Sequence, residues 1–256
     1  MATWDKSLEM IRTFISCPPG RMVVVGPRRV GKHELVRNEL LTIASEQDLL
    51  EIDGSMDGAR QVQQFVGTYP IDGEVRAVLV DGRRSFSDFA QDAYLKICED
   101  PPPAMVLMMI VDDDGSLRPA LRSRLDVVRL PPLSAEETRG FLHESDIDPD
   151  DFIVSVAHGR NGLCKPLSAR LEQMKNFHVS ACEAVKGGSD FSAVPNLILE
   201  WAKLEEDEKD AVLAVCELVL RADPEVRTGR LAEFVDTMTS IPSANAEIHW
   251  WRFRVA

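Results

Sequence analysis

The chain has 256 residues, 45% of them hydrophobic, which is enough for about one large domain or a few smaller ones. Its net charge of −13 argues against a protein that coats nucleic acid by itself, because phosphate binding needs a dense positive surface. The cysteines form no CxxC pair and no apolar run could cross a bilayer, so we expect a cytoplasmic protein without a zinc site, a disulfide framework or a membrane span.

The first half of the chain alternates helices with short apolar strands. A Cys-Pro-Pro-Gly stretch ends the first helix, and three consecutive prolines end the helix at 87–99, whose inner face we expect to carry Phe89 and Tyr94. This alternation is typical of a parallel α/β sheet covered on both faces. The predicted helices are 3–16, one after residue 32, 59–67 and 87–99, and the predicted strands are 22–25, 49–52, 77–80, 105–111 and 126–130.

The second half of the sequence predicts helices alone. Ser134 and Glu137 form a capping box that opens one of them. A Gly-Gly-Ser stretch at 187–189 is typical of a linker. Further helices are predicted at 149–158, at 166–177 and within 190–256. We therefore predict an α/β domain at 1–133, a small helical domain at 134–188 and a helical C-terminal region at 189–256.

The segment 26–33 has the GxxxxGK spacing of a P-loop, and it follows a strand and opens a helix, as that motif requires. Backbone N–H groups and the lysine of such a loop bind phosphates. His33 replaces the Ser or Thr whose hydroxyl binds Mg²⁺, so we predict nucleotide contacts without an ordinary magnesium site. The predicted nucleotide-binding residues here are Gly26, Pro27, Arg28, Arg29, Val30, Gly31, Lys32 and His33.

The apolar strand at 77–80 ends at Asp81 and is similar to a Walker B strand, in which the acid holds the metal. Gly82 stands where the catalytic glutamate would be. Because glycine has no proton acceptor, the role of general base is left without a residue. We include Asp81 among the predicted nucleotide-site residues.

Three segments, 91–103, 117–125 and 130–134, resemble in order the motifs of the AAA+ clamp-loader family. They correspond to a helix ending in a "LLKxLEEPP" pattern, a "SRC" motif after the next strand, and the end of the α/β domain. The resemblance implies an AAA+ P-loop domain, a helical lid and a collar-like C-terminal region. It favours a delta-prime-like subunit, of a compact phage-type form because the four-cysteine zinc module of bacterial members is missing.

The resemblance also assigns roles to individual residues. Arg124 stands at the arginine of the SRC motif, which in the family crosses the subunit interface to the ATP of a neighbour; its fixed fork suits charge on a transferring phosphoryl group. Lys165 stands at the sensor-2 arginine. Arg83 and Arg84 follow the Walker B strand, and the resemblance places them where they could contact DNA phosphates. Asp112 stands near the polar sensor, where an acid would repel a γ-phosphate.

These features together predict a clamp-loader subunit that does not hydrolyse ATP alone, binds ATP or ADP weakly, and lends Arg124 to a neighbouring ATPase subunit. The resemblance implies other clamp-loader subunits, a sliding clamp and primer–template DNA as partners. Two alternatives stay open. One is an active, divergent AAA+ ATPase of replication or recombination, with metal held by Asp81 and Asp112; the other is a scaffold that binds no nucleotide.

Overall fold

The computed structural model describes residues 3–83, 86–186 and 206–222, and it divides the chain into two compact units, Met1–Pro132 and Leu133–Ala256. The first unit is an α/β domain and the described part of the second is helical. The predicted fold class is therefore confirmed. The predicted helix around Leu231 and Phe234 lies outside the described residues.

A five-stranded sheet forms the centre of the first unit. Its strand order is β2-β3-β4-β1-β5, and every neighbouring pair is parallel. The strands are β1 (Gly20–Val25), β2 (Leu49–Asp53), β3 (Arg76–Asp81), β4 (Met105–Val111) and β5 (Asp126–Arg129).

Helices cover both faces of the sheet and bury its alternating side chains. Met22 and Val24 of β1 pack in the core on one face, and Val23 and Val25 pack in the core on the other. β4 is buried along its whole length, as expected for the central strand of a sheet covered on both sides. The helices of this unit are α1 (Thr3–Ile15), α2 (Lys32–Leu40), α3 (Met56–Val66), α4 (Asp88–Glu99) and α5 (Pro119–Arg122).

Local signals explain where the elements begin and end. Ser55 and Ser87 cap α3 and α4, and each side chain accepts a hydrogen bond from a backbone N–H of the first turn.

The inner face of α4 differs from the prediction, because Phe89 is 80% exposed whereas Tyr94 is fully buried. At 3.6 residues per turn, Phe89 lies about 140° around the helix from Tyr94, so the two cannot both face the core.

A buried ion pair anchors the connection that leads into β3. Asp48 pairs with Arg76 at 3.1 Å, and both side chains are buried. Asp48 also accepts hydrogen bonds from the backbone N–H groups of Ile71 and Asp72. The guanidinium of Arg76 lies 4.3 Å from the ring centroid of Phe65. The start of β3 is thereby held against the rest of the domain.

The described part of the second unit consists of helices around its own apolar core. Ser134 and Glu137 form the predicted capping box. The single helix predicted at 166–177 is wrong: Arg170, with φ −129° and ψ 32°, separates two helices there. The helices are α6 (Ala135–Glu144), α7 (Asp151–Ala157), α8 (Cys164–Ala169), α9 (Leu171–Lys186) and α10 (Glu206–Ala222).

The strand order brings three chain segments to one edge of the sheet. Val25 is in register with Val111, and Asp81 with Ile110, so β1, β4 and β3 end side by side. In open parallel sheets, ligands bind beyond the carboxyl ends of the strands. The turn after β1, the residues after β3 and the residues after β4 therefore form the candidate site.

Candidate nucleotide site and the surroundings of Arg124

The turn between β1 and α2 has the shape of a phosphate-binding loop. A Cβ atom at Gly26 would lie 2.4 Å from the carbonyl oxygen of Leu130, so a larger residue would require a shift of the backbone. Gly31 has φ 92°, a left-handed conformation that glycine adopts without strain. α2 begins at Lys32, directly after this turn, and a helix N-terminus favours anions. The backbone is thus suited to phosphate.

The remaining loop residues occupy different environments. Val30 is fully buried and fixes the loop to the core. Arg28 is exposed and Arg29 is partly exposed. Arg29 has φ 63°, which is uncommon for a residue with a side chain. The residues predicted to bind nucleotide at 26–33 therefore form one turn between β1 and α2.

The side chain of Lys32 is turned inward and bound within the protein. Its Nζ donates hydrogen bonds to the carbonyl oxygens of Gly26 and Pro27, and it lies 2.9 Å from Oδ1 of Asp112. Its side chain is 1% exposed. Burial lowers the pKa of Lys32, against the opposing effect of the Asp112 carboxylate. The lysine that would meet the terminal phosphates therefore already has an anionic partner.

Asp81 also has a charged partner from this chain. Nε of Arg83 lies 2.7 Å from Oδ1 of Asp81, its Nη2 contacts Oδ2, and the backbone N–H of Arg83 donates to Oδ1. Burial raises the pKa of Asp81, but the hydrogen bonds and charge of Arg83 outweigh it and leave the pKa below its ordinary value. An arginine fork thus binds the carboxylate that a metal would need.

The two positions that depart from an ATPase motif are also fixed by packing. Nε2 of His33 lies 3.2 Å from Oε2 of Glu51 on β2, and Arg37 binds the same carboxylate. A Cβ atom at Gly82 would lie 2.9 Å from the ring of Phe86, so a glutamate would not fit without displacing that ring.

These residues do not fit a magnesium nucleotide of the ordinary kind. The lysine and the acid are both engaged by side chains of the protein, and a histidine that binds a glutamate replaces the magnesium hydroxyl. Within residues 3–83, 86–186 and 206–222, no group of three or more His, Cys, Asp and Glu side chains is arranged to hold a metal ion. No described helix is long and apolar enough to span a membrane.

Arg124 lies between α5 and β5 of the first unit. Its Nη1 donates to the carbonyl oxygen of Ala120 at 2.7 Å, and its Nη2 lies 2.7 Å from Oε1 of Glu99. The side chain of Arg124 is 36% exposed. Arg122, two residues earlier, pairs with Asp114 instead. Both arginines are accessible surface groups with one acidic partner.

Comparison with known proteins shows what this part of the chain is similar to. Residues 29–134 match the family model described as DNA polymerase III, delta subunit. This segment, less than half of the chain, is similar to that family. The match includes Asp81 and Arg124, and the predicted resemblance is confirmed for it. The first unit has the five-stranded parallel sheet with helices that the sequence predicted.

Solved structures give weaker similarities over most of the chain. A gamma-subunit-related protein of DNA polymerase III from Thermotoga maritima is 19% identical, with 90% of this chain and 81% of that chain covered and a TM-score of 0.47. The DNA clamp loader delta protein of Bacillus subtilis is 12% identical, with 97% and 88% covered and a TM-score of 0.48. These values support no argument about function. No curated protein sequence matches the chain.

Three further residues were predicted to have clamp-loader functions. Arg83 forms an ion pair with Asp81, which was not predicted from the sequence although only one residue separates them. Arg84 lies outside the described residues. Lys165 lies on α8 in the second unit, and its side chain is exposed.

Proposed function

We propose that this chain is a delta-prime-like clamp-loader subunit with a degenerate ATP site. It supplies Arg124 to ATP bound by a neighbouring ATPase subunit, while the assembled complex loads a sliding clamp onto primer–template DNA in the cytoplasm. The observation that carries the proposal is an asymmetry. The groups that would act on this chain's own nucleotide are replaced or already engaged, whereas the arginine that would act on another subunit's nucleotide is accessible.

The degenerate site supports the first half of the proposal. Phosphoryl transfer in this fold needs a magnesium hydroxyl, a group that orients water and a lysine aimed at the phosphates. His33 and Gly82 do not provide the first two, and Lys32 is bound to Asp112. We expect at most weak binding of ATP or ADP, with little dependence on Mg²⁺.

The setting of Arg124 supports the second half. Its only ion-pair partner among the described residues is Glu99, and the side chains of Arg124 and Glu99 are 36% and 54% exposed. Such surface pairs contribute about 0–1 kcal/mol, whereas hydrogen bonds between arginine and phosphate are charge-assisted and stronger. Arg124 can therefore exchange Glu99 for a phosphate of a neighbouring subunit at little cost.

Other parts of the chain receive roles consistent with this assignment. Residues 134–188 would be the lid and 189–256 the collar-like region that contacts other clamp-loader subunits. Lys165 would take the place of the sensor-2 arginine in the lid. Arg84 would contribute to a DNA surface shared among subunits, and Arg83 would do so only on releasing Asp81. A shared surface is compatible with a net charge of −13 for this chain alone.

An active, divergent ATPase is the competing function. It would hold its metal with Asp81 and Asp112, whose strands end side by side at the candidate site. However, Asp81 is bound by Arg83 and Asp112 by Lys32. Each ligand would have to give up a buried or partly buried cation first, so the geometry favours the non-catalytic subunit.

Substitution of Arg124 in a reconstituted complex tests the proposal. Arg124→Ala should reduce DNA- and clamp-stimulated ATP hydrolysis at one interface by roughly 10³-fold, the lower end for an arginine finger. Arg124→Lys should be nearly as impaired, because a point charge does not reproduce the fork. Arg122→Ala is the matched control, since it removes a neighbouring ion-paired arginine. Equal rates for the Arg124 and Arg122 variants would refute the assignment.

A further inference from the structure

Four of the charged side chains at the candidate site form two internal ion pairs. Lys32 pairs with Asp112, and Arg83 pairs with Asp81. The acids stand at the ends of β4 and β3, which are neighbours in the sheet, and Lys32 opens the helix that follows β1. The two positive and two negative charges cancel within this cluster.

Each pair replaces one electrostatic interaction that a magnesium nucleotide would make. In a P-loop site the lysine meets phosphate oxygens and the acid holds the metal. We infer that Asp112 and Arg83 are built-in counter-ions, the first in place of the phosphate and the second in place of the metal, and that they keep Mg²⁺–nucleotide out of this loop. The inference rests on the proposed non-catalytic function and gives its physical cause.

The Asp112 pair is the stronger of the two barriers. The Lys32 side chain is 1% exposed and that of Asp112 is 30% exposed, so the charge of Lys32 is desolvated and depends on its partners. An incoming phosphate would have to displace Asp112, and the displaced carboxylate would then repel it. Neutralising Asp112 removes both effects and leaves Lys32 with only two carbonyl partners.

The ion pair of Arg83 with Asp81 blocks the carboxylate that would bind a metal. Its guanidinium contacts both carboxylate oxygens of Asp81, and its backbone N–H donates to one of them. The side chains are 27% and 23% exposed, so the pair is partly shielded from solvent. A magnesium ion could use Asp81 only after the arginine fork has left. Removing the guanidinium should therefore make nucleotide binding depend on Mg²⁺.

Equilibrium binding to the full chain tests the phosphate side. ATP and inorganic pyrophosphate are titrated into the wild type, Asp112→Asn and Asp113→Asn, without Mg²⁺. Asp113 is the matched control, because it adjoins Asp112 but its carboxylate accepts from Gly115 N–H instead of Lys32. Asp112→Asn should bind both ligands at least about tenfold more tightly than wild type, the factor for one charge-assisted hydrogen bond at its lower end. Equal affinity of the two variants would overturn the inference.

The metal side is tested with Arg83→Gln, and Arg60→Gln, which loses an exposed ion pair to Asp57, is the control. ATP should bind Arg83→Gln several-fold more tightly with Mg²⁺ than with a chelator, and the other proteins equally under both conditions. Absence of a magnesium effect in Arg83→Gln would overturn this half of the inference. Both titrations use the isolated chain and do not involve Arg124, so their failure is distinguishable from failure of the proposed function.

Discussion

The Glu99→Gln substitution should increase ATP hydrolysis by the assembled complex. Glu99 holds Arg124 at 2.7 Å, and the two side chains are 54% and 36% exposed. A pair with this exposure contributes about 0–1 kcal/mol, so its release should make Arg124 available to a neighbouring nucleotide up to about fivefold more often. DNA- and clamp-stimulated hydrolysis in reconstituted complexes would measure the effect.

The chain offers a matched control for this experiment. Asp92 lies on α4 like Glu99 and pairs with Arg118, with side chains 51% and 40% exposed. Asp92→Asn should leave the rate unchanged, because Arg118 has no proposed role at a neighbouring nucleotide. A lower rate in Glu99→Gln than in Asp92→Asn would show that Glu99 does more than compete with phosphate for Arg124. That result would refute the argument that Arg124 exchanges Glu99 for a neighbouring phosphate.

Two further predictions concern the core of the first unit. Asp48→Asn should lower the free energy of unfolding by about 3 kcal/mol, because it leaves the buried Arg76 without its partner. Burial raises the pKa of Asp48, but hydrogen bonds and the charge of Arg76 leave it below its ordinary value. The wild type should therefore keep this stability above pH ~4 and lose it as the pH falls through the folded-state pKa of Asp48. Urea titrations at several pH values measure the loss, which should be smaller in Asp48→Asn. A urea midpoint at pH 7 that is the same in the variant and the wild type would contradict the prediction. Burial raises the pKa of Cys98 to about 12, so its thiol should react slowly at pH 8. Iodoacetamide at this pH should modify the exposed Cys17 and leave Cys98 unmodified until urea unfolds the domain. Rapid labelling of Cys98 in the folded protein would contradict the packing.

The sheet could be predicted because its strands are nearly continuous apolar runs with clear breaks between them. The predicted strand at 105–111 coincides with β4, the most deeply buried strand. Prediction was weaker where apolar residues do not face the core, as for the exposed Phe89. The break at Arg170 had no signal, since neither glycine nor proline stands there.

The residue types of the candidate site could be predicted, but their partners could not. The P-loop spacing and the end of β3 are local features of the sequence, and they located Lys32 and Asp81. The pairing of Lys32 with Asp112 joins residues 80 positions apart, and it follows from the place of β4 between β1 and β3. A local pattern does not contain strand order. The sequence therefore indicated that Asp112 would repel a phosphate but did not reveal that it pairs with Lys32.

Steady-state ATP hydrolysis by the purified chain alone, with and without DNA, tests the central claim most directly. The claim is that the chain, proposed to be a clamp-loader subunit, has no working catalytic site of its own. The wild type should therefore hydrolyse ATP no faster than Lys32→Ala under either condition. A turnover on the order of 1 per second that depends on Lys32 would contradict the claim and establish the active ATPase instead.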